Sequence, residues 1–325
     1  MAFSNTYNKT NPGSAVSNRE DLTDILTILA PEETPVTSLA KKSKATATYN
    51  EWTVDILAAP VTAGVHEGQD ISSFTDKFSG RARLGNYVQL FQKNYMVSQL
   101  QDAVESVGPA RIAEAEAKAI REMKRDIEAV LVGDQDRAVE DGSTTAYAAR
   151  GLGNWLSSSG PTDVPSNYRT PAASINGTGS TLTETAFNGL IASIFSQTGT
   201  VDALTLVAGT TLRRTISGFA RSDGVSTDNT FKVNADAADK EITLSVNTYD
   251  SDFGIITVIN GNPACMPNSS RGYLLNPDYV GVAELMSIGS TRLPNLGGGE
   301  RGFVDCALTL QVLSPLAHGK ITAVS

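Results

Sequence analysis

Few side chains in this sequence are spaced for chemistry, and those that are lack the partners the chemistry requires. His66 and His318 are the only histidines among 325 residues, and Cys265 and Cys306 the only cysteines. His66 stands beside Glu67 with no second histidine nearby to complete a metal site, so it reads as an exposed loop residue. Ser38 and Lys41 have the serine–x–x–lysine spacing of penicillin-recognising enzymes, but the SDN and KTG segments that complete such a site are missing. Asp252, Phe253 and Gly254 repeat a kinase tripeptide without its glycine-rich loop or HRD segment, and read as a turn between strands. Asp134 and Asp136 open like a calcium loop, yet the glycine at its sixth position and the glutamate at its twelfth are absent. Gly297, Gly298 and Gly299 precede Glu300 and Arg301 without the lysine and hydroxyl of a phosphate-binding loop, and mark a flexible turn. No catalytic residue, cofactor or metal is expected.

Composition sets wide bounds. At 325 residues and 40% hydrophobic content the chain can bury a sizeable core as one large or two ordinary domains. A net charge of -9 argues against a dedicated nucleic-acid binder, while non-specific contact with DNA stays open. No apolar run approaches the ~18 residues that span a bilayer, and MAFSNTYNKT lacks the pattern of a secretory leader, so no membrane is expected and the cytosol is the expected compartment. The two cysteines are expected to be free, buried thiols.

The elements that would position any site follow from periodicity. Residues 1–16 are polar and read as an arm; Ser17 and Glu20 form a capping box before Leu22, Ile25, Leu26 and Leu29 at helical spacing. From Thr46 the chain alternates, with Thr48, Trp52 and Val54 on the same parity, and a return strand carries Val88, Leu90 and Met96 on one face and Tyr87, Phe91, Tyr95 and Val97 on the other. A twelve-residue strand spans roughly 40 Å, and a two-stranded ribbon of that reach is marginal in water unless other strands or a neighbouring subunit cover it. Pro109 then opens an unbroken helix to Val132 with Ile112, Ile120, Met123, Ile127, Val130 and Leu131 as its apolar stripe and Arg111, Glu114, Lys118, Arg121, Arg125 and Glu128 on other faces. After a loop-rich stretch that seats Trp155 in a local hydrophobic site, a capping box at Thr181 and Glu184 opens a helix. Strands at ALTLVAG, EITLSVNTY, FGIITVIN and RGYLLNP, a helix at TTLRRTISGF, and a long final strand expected beside the long helix complete an α+β chain.

Charge is uneven. From Lys41 to Val97 there are seven basic and five acidic residues, and from Ser98 to Gly142 six and eleven. Lys77, Arg81 and Arg83 are therefore expected to dock on acidic surface of another copy, with Trp52, Glu114 and Glu122 as further inter-subunit contacts.

The order of these elements resembles the major capsid proteins of tailed bacteriophages, with the Hong Kong 97-type fold. The likeness is carried by ETPVTSLAKKSKATATYNEWTVDIL, RARLGNYVQLFQKNYMVS, IREMKRDIEAVLVG, YDSDFGIITVI and ALTLQVLSPLAHGKI. It implies an N-terminal arm with a short helix over 1–45, an extended β-hairpin loop over 46–97, and a peripheral domain with a spine helix over 98–182. It further implies an axial domain over 183–299 and a C-terminal strand over 300–325 that returns to the peripheral domain. The implied function is self-assembly, as pentamers and hexamers, into an icosahedral head enclosing double-stranded DNA, a virion component assembled in the host cytoplasm. A separate scaffolding protein, a portal and decoration proteins are the implied partners. Two other readings stand beside it: another repeating virion component, such as a decoration or tail protein, and a hydrolase with two converging carboxylates.

Overall fold

A computed structural model describes residues 32–103, 111–177, 182–201, 204–219, 247–295 and 297–322. The expected N-terminal helix, Pro109, Thr181 and the first residues of EITLSVNTY lie outside this range. In chain order the elements are α1 (Pro35–Leu39), β1 (Lys41–Lys44), β2 (Tyr49–Val54), β3 (Ala82–Tyr87), β4 (Gln89–Ser98), α2 (Gln99–Ala103) and α3 (Ile112–Val132). Then come α4 (Leu152–Trp155), β5 (Ile175–Asn176), α5 (Glu184–Thr198), β6 (Thr205–Ala208), α6 (Thr210–Phe219), β7 (Thr248–Ser251), β8 (Gly254–Asn260), β9 (Gly272–Leu275), β10 (Val280–Leu293), β11 (Gly299–Val312) and β12 (Gly319–Ile321).

Three sheets result: a four-stranded sheet in the order β1-β10-β11-β4, a six-stranded sheet in the order β5-β12-β9-β6-β8-β7, and the ribbon β2-β3. The long helix α3 packs against the four-stranded sheet because Met123, Ile127 and Leu131 repeat every four residues with no glycine or proline between them. Its core also takes Phe91 and Tyr95 from β4, and Val304, Cys306, Leu308 and Leu310 from alternate positions of β11. A second core lies under α5 and α6, where Phe187, Leu190, Ile191, Ile194, Leu212 and Ile216 meet Leu206, Val258 and Leu274.

The six-stranded sheet divides the two cores. Along β6 and β9, Leu206 and Leu274 enter the second core while Val207, Tyr273 and Leu275 enter the first. Both faces are covered, which is why these strands read as continuous apolar runs.

Four expectations change. Thr183, not Thr181, caps α5: its hydroxyl accepts from the Ala186 N–H at 3.1 Å, because the helix begins at Glu184, two residues later than a cap at Thr181 would start it. Glu128 does not lie on a solvent face of α3 but is 1% exposed, for a reason given below. The return strand is two strands: β3 pairs with β2, whereas β4 leaves the ribbon and pairs with β11. The chain also crosses between sheets where the expected boundaries do not, since β10 joins β4's sheet and β12 joins β9 and β5 in the other. Both cysteines are buried and unpaired, as expected.

Candidate assembly surface

The ribbon β2-β3 is tied to the body by a buried polar junction. Asn86 donates to the carbonyls of Arg150 and Leu310 at 3.1 and 2.9 Å and accepts from the Arg150 N–H at 2.8 Å, stitching β3 to the loop after α3 and to β11. The Arg150 side chain is 2% exposed; it pairs with Asp136 at 2.6 Å and with Asp163 at 2.7 Å, and its guanidinium lies 4.9 Å from the Trp155 ring. Arg137 shares Asp163 at 3.2 Å and donates to the Tyr49 hydroxyl and the Gly85 carbonyl, both on the ribbon. Burial works against the Asp163 charge, yet the hydrogen bond and positive charge of Arg150, with Arg137 beside it, outweigh burial and hold the carboxyl below its usual range. Trp52 packs 5.7 Å from Trp155. The ribbon's root is thereby fixed.

A second polar anchor holds the segment before β1. The buried Glu128 carboxylate accepts from the Val36 and Thr37 N–H groups at 2.8 and 2.9 Å and from the Thr37 hydroxyl at 2.6 Å, closing the first turn of α1. Desolvation raises its pKa, and the hydrogen bonds from Thr37 and Val36 partly offset that.

Beyond the root, the chain from 55 to 81 forms no strand and, among the described residues, joins none of the hydrophobic cores. Exposure runs from 43% at Ile56 and 63% at Phe78 through 74% at Ile71, 78% at Val65, 85% at Val61 and 90% at Phe74 to 95% at Leu57. Soluble proteins do not present so many large apolar groups on one projecting loop unless something covers them. Beside the arm, the four-stranded sheet is also incomplete. Strand β1 pairs only with residues 281–284 of β10, so among the described residues the remainder of β10 has a free edge, and β4 is an edge strand along its whole length. The sheet face away from α3 exposes Leu90, Met96 and Leu293, the last two flanking Arg301 across the ladder.

The expected contact residues separate into three groups. Trp52 is half-buried in its own subunit, and Arg81 is bound within the arm, 2.9 Å from Asp55 and 4.1 Å over the Phe78 ring. Lys77, Arg83 and Glu114 are exposed. Glu122 sits a turn from Lys118 at 4.0 Å. The expected basic character of the arm is corrected too: Lys41, Lys42 and Lys44 belong to β1 on the body, and Lys93 pairs with Asp126 of α3 at 2.7 Å. From 55 to 81 the chain carries four acids, Asp55, Glu67, Asp70 and Asp76, against Lys77 and Arg81. The arm's outer part is acidic and apolar.

Arg150, Asn86, Asp163 and Glu128 had no motif to announce them. The available signal for Glu128 was its position between Ile127 and Leu131, next to the helix's buried stripe.

A rigid root, an uncovered arm and open sheet edges describe a subunit built to be completed by others, and comparison with known proteins says of what. The family model for the SU10 major capsid protein matches residues 3–325. The chain belongs to that family. It is a structural subunit of a tailed-phage head shell, not an enzyme, and its place is the virion capsid. The fold is that of solved capsids. In the capsid asymmetric unit of cyanophage A-1(L), a chain 16% identical superposes with a TM-score of 0.68, covering 96% of this chain and 98% of that one. The capsid of a native GTA particle gives 0.59 at 10% identity over 98% and 100% of the two chains. The capsid of cyanophage P-SCSP1u gives 0.58 at 11% identity over 95% and 94%. No curated protein sequence matches the chain. The α+β, Hong Kong 97-type fold expected from the sequence is the one observed.

Proposed function

We propose that copies of this capsid subunit associate as pentamers and hexamers through the arm at 55–81 and the open edges of the four-stranded sheet, closing an icosahedral shell around double-stranded DNA in the host cytoplasm. The observation that carries this reading is the arm itself, whose apolar side chains are covered by nothing among the described residues of their own subunit. Obligate interfaces bury roughly 2,000 Å² or more, and projecting arms supply such area without enlarging the core. Lys77, Arg83 and Glu114 are the remaining exposed members of the expected contact set; Trp52 and Arg81 serve it by holding the ribbon in place. A scaffolding protein, a portal and decoration proteins are the further partners of this reading. With a net charge of -9, the shell holds DNA through counterions rather than a basic lining.

The test is to express the full chain and a variant with residues 57–79 replaced by a short Gly-Ser turn, alone and with the neighbouring genes of its phage, and to image both by negative stain. Shells or capsomer rings from the full chain and soluble single subunits from the variant are expected. Closed shells from the variant would overturn the assignment of the arm.

A further inference from the structure

Strand β10 outruns its cover on the inner face of the four-stranded sheet. Strand β1 ends opposite Glu284, and just beyond it two register shifts interrupt the ladder between β10 and β11, between Glu284 and Met286 and between Met286 and Gly289. Met286 and Ile288 stay 45% and 39% exposed as a result, although they line the same pocket as the buried Ile127 of α3. That pocket, of ≈ 240 Å³, opens between α1, α3 and β10, and its floor is the core itself at Ile127, Val282, Cys306 and Leu308. The charged residues of its lining are Lys42, Lys124 and Glu284. Lys42 and Glu284 stand 3.6 Å apart, and Lys124 forms no salt bridge among the described residues, so one positive charge is left over.

Volume and charge together define an occupant. A dry cavity of roughly 150 Å³ takes a benzene ring, so this one has room for a ring and a short chain. A surplus of one cation beside an apolar pocket suits a single carboxylate on an apolar body, whereas inorganic phosphate would leave the apolar wall uncovered. Met286 gives that wall an unbranched, adaptable side chain. Cys306 is no covalent anchor: burial, with the negative charges of Asp305 and Glu284, pushes its thiol up to about 12, and a protonated thiol is a poor nucleophile. We infer that this pocket binds a small arylalkyl carboxylate, its ring among Ile127, Met286, Ile288 and Leu308 and its carboxylate between Lys42 and Lys124. Bound there, the ligand ties α1 and β1 to α3 and β10 within one subunit and stabilises that subunit by mass action. The site belongs to the single subunit and stands apart from the proposed role of the arm.

The test uses the full chain as dispersed subunits, ¹³C-methyl-labelled at methionine, with phenylbutyrate as the probe and phenylbutanol as its uncharged counterpart. The Met286 methyl signal, assigned by its loss in Met286→Leu, should move saturably with phenylbutyrate at a dissociation constant of about 1 mM or tighter. Phenylbutanol should bind about fivefold more weakly, a modest difference because both lysines are exposed to water. Lys124→Ala removes the surplus charge and should bring the two probes to within about twofold of each other. Ile288→Trp closes the opening and should remove binding of both probes with circular dichroism unchanged; the wild-type titration and Lys124→Ala decide the matter without it if it fails to fold. No saturation by about 10 mM phenylbutyrate overturns the site. So does a shift confined to Met96 on the opposite sheet face, equal binding of the two probes to the wild type, a preference that survives Lys124→Ala, or binding that survives Ile288→Trp.

Discussion

Phe187 and Phe74 are the same side chain in opposite situations. Phe187 is 0% exposed on the inner face of α5, in edge contact with Tyr249 at 5.1 Å; Phe74 is 90% exposed on the arm and touches no aromatic neighbour among the described residues. The difference extends to their surroundings. Body strands β6 and β9 are buried on both faces, while the arm has no buried face at all. The subunit thus keeps two kinds of apolar surface: one consumed in its own folding, the other left for contact with further copies. Stability of the subunit and stability of the shell are governed by different residues.

Truncation of each phenylalanine separates the two most sharply. Phe187→Ala should cost the subunit about 3–5 kcal/mol in denaturant unfolding through lost burial and the cavity left behind. Phe74→Ala should leave subunit stability within about 0.5 kcal/mol while lowering shell yield. An equal loss of subunit stability in both would break the comparison.

Acid probes the body alone. His318 is fully buried, its Nδ1 accepting from the Asn276 N–H at 3.1 Å, and burial lowers its pKa from 6.5 to about 4. A base whose folded pKa is depressed binds fewer protons folded than unfolded between those values. Its contribution to stability is therefore complete above pH 6.5 and is lost as pH falls toward 4, by about 3 kcal/mol in all. Unfolding followed against pH should show this slope for the wild type and its loss in His318→Gln, at a lower plateau. A wild-type slope that persists in the variant would assign the effect elsewhere.

Two smaller effects sharpen the same contrast. Thr183→Ala removes the cap of α5 and should lower body stability by about 1 kcal/mol, seen as a shift of Tm. Asp55→Ala breaks the half-exposed pair with Arg81 on the arm and should change subunit stability by no more than about 0.5 kcal/mol in the same measurement.

The legible part of this protein was the part governed by local rules. The run from Ile112 to Val132 could be read as a helix because its apolar period and lack of breakers act within a few residues, and ALTLVAG and RGYLLNP could be read as buried strands because both of their faces are apolar. The order of elements also sufficed for the family resemblance. The junction at Arg150 could not be read, because an arginine in a polar loop looks solvated until Asp136, Asp163 and Trp155 converge on it. Glu128 misled for the same reason, its partners lying 91 and 92 residues earlier.

By itself, then, the sequence determined the long helix and the buried strands of the body, the order of elements and the absence of any recognisable catalytic motif, while the long strand β10 went unread. Tertiary structure alone decided which charges belong to which surface. Counting along the chain placed Lys41, Lys42, Lys44 and Lys93 on the arm, whereas strand pairing moved the first three to the edge of β10 and an ion pair tied the fourth to α3. Electrostatics acts through distance in space, and only the paired strands show which lysines stand on the body and which charges remain on the arm.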